Sequence, residues 1–145
     1  MKSLKEALLN RPKNIDVVSI AAEEHINTNY NIEDKLTFEN VNGVCIVNCD
    51  GDVQVTNGTM SKLTEGFVWG EIRGDFNCSW CAELKSLEGA PETVGGFFDC
   101  SSCKNLKSLK GAPGYVGKDF FCDKCENLKS LEGAPKGCQI HCDSV

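Results

Sequence analysis

A unit of 22 residues is written three times between residues 72 and 145 and is begun a fourth time before the chain ends. The recurring positions are Phe76, Phe98 and Phe120; Cys78, Cys100 and Cys122; Cys81, Cys103 and Cys125; Leu84, Leu106 and Leu128; and Leu87, Leu109 and Leu131. A fixed period with apolar residues at a fixed phase is typical of solenoids, in which each coil buries its apolar face by stacking on the next. The repeat therefore predicts a β-rich solenoid with 22-residue coils.

The spacing inside one repeat predicts how a coil is built. Val94–Cys100 carries apolar or small residues at every second position, which is typical of a strand whose alternate side chains face inward. From Cys100 to Leu109 the apolar residues follow at every third position instead, which favours a tight return. Gly-Ala-Pro at 111–113 ends the return, because Gly tolerates positive φ and Pro stops a helix. We expect strands of successive coils to stack in parallel, about 4.8 Å apart.

The run at 98–113 resembles a known repeat family. It reads Phe-Asp-Cys-Ser-Ser-Cys-Lys-Asn-Leu-Lys-Ser-Leu-Lys-Gly-Ala-Pro, and it is similar to the leucine-rich-repeat-like "SLEGAP" repeats of bacteriophage and gut-bacterial proteins. Residues 86–91 and 130–135 both read Ser-Leu-Glu-Gly-Ala-Pro. The resemblance covers about half of the chain, and residues 44–69 more loosely. It implies a leucine-rich-repeat-like binding scaffold and names no ligand.

The beginning of the chain predicts a helical cap. Helices are expected from Ser3 to about Asn10, where Ser and Glu form a capping box, and from about Ile15 to His25. The Asn-rich residues 27–31 predict a loop. A solenoid needs its first coil covered. We therefore interpret residues 1–35 as an N-terminal helical cap and residues 36–145 as the solenoid.

Short β-branched or apolar runs separated by turn signals come next. They are residues 36–38, 44–49 and 53–55. Val53 and Val55 take the positions that Phe76 and Cys78 hold one coil later, so this region is predicted to be a degenerate coil. The array is then expected to contain about four to five coils.

The ten cysteines allow two interpretations. Three Cys-x-x-Cys pairs are separated by 18-residue gaps, which lies within zinc-ribbon spacing, and the best zinc ligands would be Cys122, Cys125, Cys138 and His141. The same cysteines, however, occupy fixed inward positions of a repeat, and a free Cys packs as a small apolar residue. We favour a structural ladder of thiols with no cofactor and keep zinc as the alternative. With no signal peptide before the first helix, disulfides are not expected.

Charge and composition argue against several classes of protein. The 15 basic and 21 acidic residues give a net charge of −6, which opposes binding to a phosphate backbone. No apolar run has the length that crosses a membrane, so we expect a cytoplasmic protein. The two histidines, His25 and His141, belong to no nucleophile–base arrangement. We therefore expect no enzymatic activity.

The outward strand positions form the candidate binding surface. By alternation they are Asp75, Asn77, Phe97, Asp99, Asp119, Phe121, Gln139 and His141. Phe97 and Phe121 are on the wrong phase for the core, and stacking of coils is expected to bring them together within a rim of aspartates. Trp80 is expected to extend this surface. Exposed aromatic residues with a polar rim are typical of interface anchors.

These observations favour a non-enzymatic protein–protein interaction module. The family resemblance implies a phage or mobile-element origin, and such a protein is expected to bind and block a host factor, for example a defence protein. Two alternatives are a small zinc protein and a structural subunit. The last coil carries no capping helix, and its open strand edge predicts a homodimer through the C-terminal coil.

Overall fold

The computed structural model describes residues 17–145, so the first predicted helix, at 3–10, lies outside the described residues. The described elements are α1 (Val17–Asn29), β1 (Tyr30–Asn31), β2 (Leu36–Val41), β3 (Val44–Cys49), β4 (Val53–Val55), β5 (Val68–Ile72), β6 (Phe76–Asn77), β7 (Thr93–Val94), β8 (Phe98–Asp99), β9 (Tyr115–Val116), β10 (Phe120–Phe121) and β11 (Ile140–His141). They build a β-solenoid of about four turns with a helix at its N-terminal end, which confirms the predicted fold class.

The strands form two sheets that run along the solenoid. One sheet has the order β1-β4-β6-β8-β10-β11, and the other has the order β2-β3-β5-β7-β9. From β3 and β4 onward each strand pairs in parallel with its counterpart one coil away, as predicted. The register aligns Phe76, Phe98, Phe120 and Ile140 across the coils. Equivalent positions of the repeat therefore stack directly.

Each coil contains two short strands where the alternation from Val94 to Cys100 predicts one. β7 ends at Val94, β8 begins at Phe98, and the two belong to different sheets. The chain bends between them at Gly95-Gly96, where a Cβ on Gly95 would collide with the carbonyl oxygen of Arg73. The prediction of a single strand is wrong because this glycine corner turns the chain. Burial still alternates through the bend.

The N-terminal cap also differs from its prediction. The described part of α1 continues to Asn29, so the loop predicted over residues 27–31 is wrong. Two side-chain hydrogen bonds hold this last turn. Asn29 Nδ2 donates to the carbonyl oxygen of His25 at 2.9 Å, and Asn57 Nδ2 donates to Asn29 Oδ1 at 2.8 Å. Two antiparallel strand pairs follow the helix: β1 pairs with β4, and β2 pairs with β3.

The core consists of ladders of identical side chains. The rings of Phe76 and Phe98 are parallel with centroids 5.4 Å apart, and those of Phe98 and Phe120 are 5.3 Å apart. All three rings are fully buried. Burial of one such side chain stabilises a fold by about 1.5–3 kcal/mol. At the capped end Tyr30 packs against Phe76 and donates its hydroxyl to the carbonyl oxygen of Leu63 at 2.6 Å, which ties the cap to the first coil.

Candidate functional site

The outward face of the six-stranded sheet carries two rows of side chains. The first row, immediately before the strands, is Asp52, Asp75, Phe97, Asp119 and Gln139, and the second row is Gln54, Asn77, Asp99, Phe121 and His141. Members of a row lie one coil apart because the strands stack in register. Both rows are built mainly from aspartate and amide side chains, and Phe97 and Phe121 interrupt them.

Aspartates of the first row join consecutive coils by side-chain-to-backbone hydrogen bonds, which we call clasps. Asp52 Oδ1 accepts the backbone N–H of Asp75 at 2.7 Å, and Asp75 Oδ1 accepts the N–H of Phe97 at 2.9 Å. Phe97 has no oxygen to offer the N–H of Asp119. The series of side-chain clasps therefore stops at Phe97.

The residue that precedes the hydrogen-bonded position also differs between coils with and without the aspartate. A Cβ on Gly96 would collide with Asp75 Oδ1, so the aspartate clasp requires glycine at this position of the next coil. One coil after Phe97 the equivalent residue is Lys118. A side chain fits there because Phe97 takes the place of the aspartate.

Polar side chains of the second row hold the turn that follows each strand. Asn77 Oδ1 accepts the N–H of Ser79 at 2.9 Å, and Asp99 Oδ1 accepts the N–H of Ser101 at 2.8 Å. These are Asx turns, which Asn and Asp favour. Phe121 occupies the same position in the next coil and cannot accept such a bond. Each phenylalanine thus replaces a residue that clasps the backbone elsewhere in the array.

The two phenylalanines lie together, as predicted. Their ring centroids are 5.9 Å apart in a T-shaped arrangement, and Phe121 stacks on His141 with centroids 4.6 Å apart. His141 Nε2 lies 2.9 Å from Asp119 Oδ2. Both phenylalanines are half-buried, since they cover part of each other. We call Phe97, Asp99, Asp119, Phe121 and His141 the aromatic patch.

A shallow groove opens on the aromatic patch. It has a volume of about 320 Å³ and is lined by Phe97, Lys118, Asp119 and Phe121. Apolar ring surface, one carboxylate and one ammonium group meet in it. Such a mixture suits a partner side chain with an apolar body and a charged end.

The remaining predicted surface residues lie outside the contacts of this patch. Asp75 and Asn77 are one coil away and use their side chains for the backbone bonds described above. Trp80 is 72% exposed and stands at a corner with φ of 66°. Among the described residues Trp80 makes no ring contact, so the structure does not bring it into the aromatic patch.

The six cysteines of the regular repeats stack in two inward columns, as predicted, with Cys78, Cys100 and Cys122 in one and Cys81, Cys103 and Cys125 in the other. Cys103 Sγ donates to the carbonyl oxygen of Cys78 at 3.3 Å, and Cys125 Sγ donates to that of Cys100 at 3.1 Å. All ten cysteines are free thiols, and all are buried except the half-buried Cys138 and Cys142. The thiols therefore serve both as apolar packing groups and as donors between coils.

The pKa shifts of the thiols differ along the ladder. Burial raises the pKa of the Cys81 thiol to about 11 and that of Cys103 to about 12, whereas a hydrogen bond with Cys100 lowers the pKa of Cys125. Within residues 17–145 no three His, Cys, Asp or Glu side chains form a group that could hold a metal ion. The four residues of the zinc alternative, Cys122, Cys125, Cys138 and His141, are thus not brought together.

Sequence reasoning missed an apolar area on the five-stranded sheet. Val41, Val44 and Val68 are each about 45% exposed there, and Val68 is in register with the half-buried Ile46. The strand Val44–Cys49 is apolar at both phases of its alternation over its first four residues. The pattern therefore did not show which of these residues face outward.

A polar network around His25 was also missed. His25 Nε2 lies 3.3 Å from the carbonyl oxygen of Leu63, and its Nδ1 lies 3.3 Å from Asn29 Nδ2. Burial lowers the pKa of His25, which favours the neutral ring. A groove of about 410 Å³ beside it is lined by residues that include Lys62 and Glu65. The network joins α1 to the first coil, so its role in holding the cap is explained by these contacts.

Comparison of the chain with protein-family models, curated proteins and solved structures finds no match. Among the described residues no helix has the length and apolar character to cross a membrane. The aromatic patch is therefore the feature from which a function is inferred.

Proposed function

We propose that this protein is a non-enzymatic protein–protein interaction module and that the aromatic patch is its binding surface. One observation carries this proposal. Phe97 and Phe121 stand at positions where the preceding coils clasp the backbone with Asp75, Asn77 and Asp99. The two exceptions lie in contact with each other on the outward face.

Energetics support a role for these residues beyond folding. An intramolecular hydrogen bond contributes about 1 kcal/mol to stability, so two bonds of that size are absent where the phenylalanines stand. The T-shaped ring pair offsets about 0.5–1.5 kcal/mol of this loss. The rings nevertheless remain partly open to water. Sites where a chain departs from its own local rule are typically functional or strained.

The sharpest test restores the pattern of the preceding coils. The variant Phe97→Asp, Lys118→Gly, Phe121→Asn rebuilds the aspartate clasp, the glycine that it requires and the Asx turn. It should fold with a stability within about 1 kcal/mol of the natural chain, because each lost ring contact is matched by a regained hydrogen bond. Tyr115→Thr is the matched control, since it removes an exposed aromatic residue from the other sheet at the register position of Thr93.

The measurement has two stages. Proteins captured from a bacterial lysate are quantified for the natural chain and both variants, and the affinity of a purified captured protein is then measured by calorimetry. We expect the restored variant to bind at least about tenfold more weakly, since interface anchors contribute about 2 kcal/mol or more. Tyr115→Thr should bind as the natural chain does. A partner that binds the restored variant with full affinity would refute the proposal.

Three earlier expectations remain predictions beside this one. They are a phage or mobile-element origin with a host factor as target, a purely structural role, and a homodimer through the C-terminal coil. For the last, β11 is the outermost strand of the six-stranded sheet among the described residues. Light scattering of the purified protein tests the dimer directly.

A further inference from the structure

The aromatic patch alternates rings and carboxylates in two directions. Along the coils Phe97 is followed by Asp119 in the first row, and Asp99 is followed by Phe121 in the second. The rings thus lie on one diagonal of a square and the carboxylates on the other. Diagonal side chains of neighbouring strands are within reach of each other when they are aromatic or long, as the ring contact shows.

The carboxylates and the free ring faces of this square have the same electrostatic sign, although His141 covers one face of Phe121 and Lys118 lines the groove beside it. Carboxylates carry negative charge, and the face of an aromatic ring is negative because of its quadrupole. Asp75 extends the first row by one more carboxylate. The whole chain has a net charge of −6, so its long-range field also attracts cations. The chemistry that complements this surface is a cation with flat apolar faces.

We propose that the aromatic patch binds an arginine side chain from a basic segment of the partner protein, with the guanidinium on the phenylalanine rings and hydrogen-bonded to Asp99. This inference rests on the proposed function and specifies its partner. A guanidinium is planar, stacks on aromatic faces and presents a fork of N–H donors to carboxylates. Cation–π contact adds to the ion pair at a partly exposed site. Lysine offers a point charge without the flat face.

Of the two carboxylates of the square, Asp119 lines the groove and is paired with His141, whereas Asp99 lies outside the groove lining and makes no ion pair among the described residues. We assign the hydrogen bond to Asp99 for this reason. Its Oδ1 accepts the N–H of Ser101, and an ionised carboxylate has about four lone-pair sites, so it can accept from a guanidinium as well. Asp119 already lies against His141 at 2.9 Å. Lys118 also lines the groove, and its ammonium group opposes a bound cation. Removing that charge should therefore strengthen binding.

The experiment uses a flexible peptide of about twelve residues with arginine at every third position, titrated by calorimetry at about 50 mM salt, where screening is weak. Matched peptides carry citrulline, lysine or glutamate in place of arginine. Citrulline keeps the shape of arginine and removes its charge. On the protein side, Asp99→Asn removes charge and keeps the Asx turn, as Asn77 does one coil earlier. Glu126→Gln, at an exposed position in the same coil as Phe121, is the matched control.

We expect the arginine peptide to bind about tenfold more tightly than the citrulline peptide, and more tightly than the lysine peptide. Asp99→Asn should weaken binding about fivefold, Lys118→Gln should strengthen it about twofold, and Glu126→Gln should leave it unchanged. Equal binding of arginine and citrulline, preference for glutamate, no binding at millimolar peptide, or an unchanged affinity in Asp99→Asn would overturn the inference.

The two proposals fail in different ways. If the arginine peptide shows no preference while the restored variant still loses its captured partner, the patch binds a protein through other chemistry and only the arginine inference is wrong. If a captured partner binds the restored variant fully, the aromatic patch is not the binding surface. In that case both the proposed function of the patch and the arginine inference are refuted.

Discussion

Along the same strands, residue identity is repeated more strictly at the inward positions than at the outward positions. Inward, Phe76, Phe98 and Phe120 are identical and fully buried. Outward, the residues just before them are Asp75, Phe97 and Asp119. An inward side chain packs between its counterparts in both neighbouring coils, so a change of volume is felt on two sides. An outward side chain meets water on its free side, and the array tolerates variation there. The departures from the repeat that carry function are therefore expected on the outward face.

The largest effect should come from alkaline pH, which acts on the inward thiols and on the buried hydroxyl of Tyr30, whose pKa burial also raises. Burial raises the pKa of Cys49 and Cys81 to about 11 and that of Cys103 to about 12, from an ordinary value of 9.0. Below pH 9 both folded and unfolded thiols are protonated, and the stabilisation is constant. Between pH 9 and 11 the unfolded chain loses protons that the fold retains. Each of these three thiols then lowers the free energy of unfolding by about 1.4 kcal/mol per pH unit.

Urea unfolding at pH 8, 9 and 10 in the presence of reductant measures this loss. The variant Cys103→Ala should show a shallower dependence, because one titrating thiol is absent. Constant stability from pH 8 to pH 10 would show that the thiols are not buried as the ladder requires.

The next effect compares neighbouring aromatic residues on opposite sides of one strand. Phe98→Ala should lower the free energy of unfolding by about 3–5 kcal/mol, since it leaves a cavity between two stacked rings. Phe97→Ala should cost about 1 kcal/mol or less, because its ring is half-buried. Chemical denaturation of both variants tests this difference. Equal losses would mean that Phe97 is a core residue and would weaken its assignment to the binding surface.

A smaller effect compares one position of the repeat in two coils. Leu109 is 0% exposed, whereas Leu131, its counterpart 22 residues later, is 38% exposed. Leu109→Ala should cost about 2–5 kcal/mol and Leu131→Ala about 1 kcal/mol, because less apolar area is buried at the second site. Thermal unfolding gives both values. A large loss at Leu131 would indicate that a further contact covers it in solution.

The smallest effect concerns Trp80. It has a positive φ of 66° at a corner where Ser102 and Lys124 have 59° and 57°. Trp80→Gly should leave stability unchanged or raise it by up to about 1 kcal/mol, since glycine adopts this conformation without a steric penalty. Partner binding measured on the same variant shows whether Trp80 extends the binding surface. Full affinity would restrict that surface to the aromatic patch.

Much of the architecture was predictable because the same residue pattern recurs in each repeat. Alternation around Phe98 and the three-residue steps from Cys100 to Leu109 correctly assigned the inward residues. The bend at Gly95-Gly96 was not predictable from alternation, because small residues fit the pattern whether a strand continues or turns. That choice depends on the carbonyl of Arg73 in the preceding coil.

The candidate site was predictable in part. The phase of the repeat placed Phe97 and Phe121 outward, and stacking of coils placed them near each other. The stack of His141 on Phe121 depends on the final step of the array, in which Cys122 and Cys142 meet after 20 residues rather than 22. The clasps that the two phenylalanines interrupt also join residues of different coils. No local pattern in the chain displays them.

By itself the sequence determined the inward set, the parallel stacking and the coil length. Hydrophobic burial is non-directional and follows periodicity, so a repeated apolar phase is enough to specify it. Only the tertiary structure decided the glycine corners, the two sheets, the antiparallel strand pairs that follow the helix and the arrangement of rings and carboxylates in the aromatic patch. These features depend on distances and hydrogen-bond angles between atoms that are one coil apart, and such directional contacts exist only once the coils have stacked.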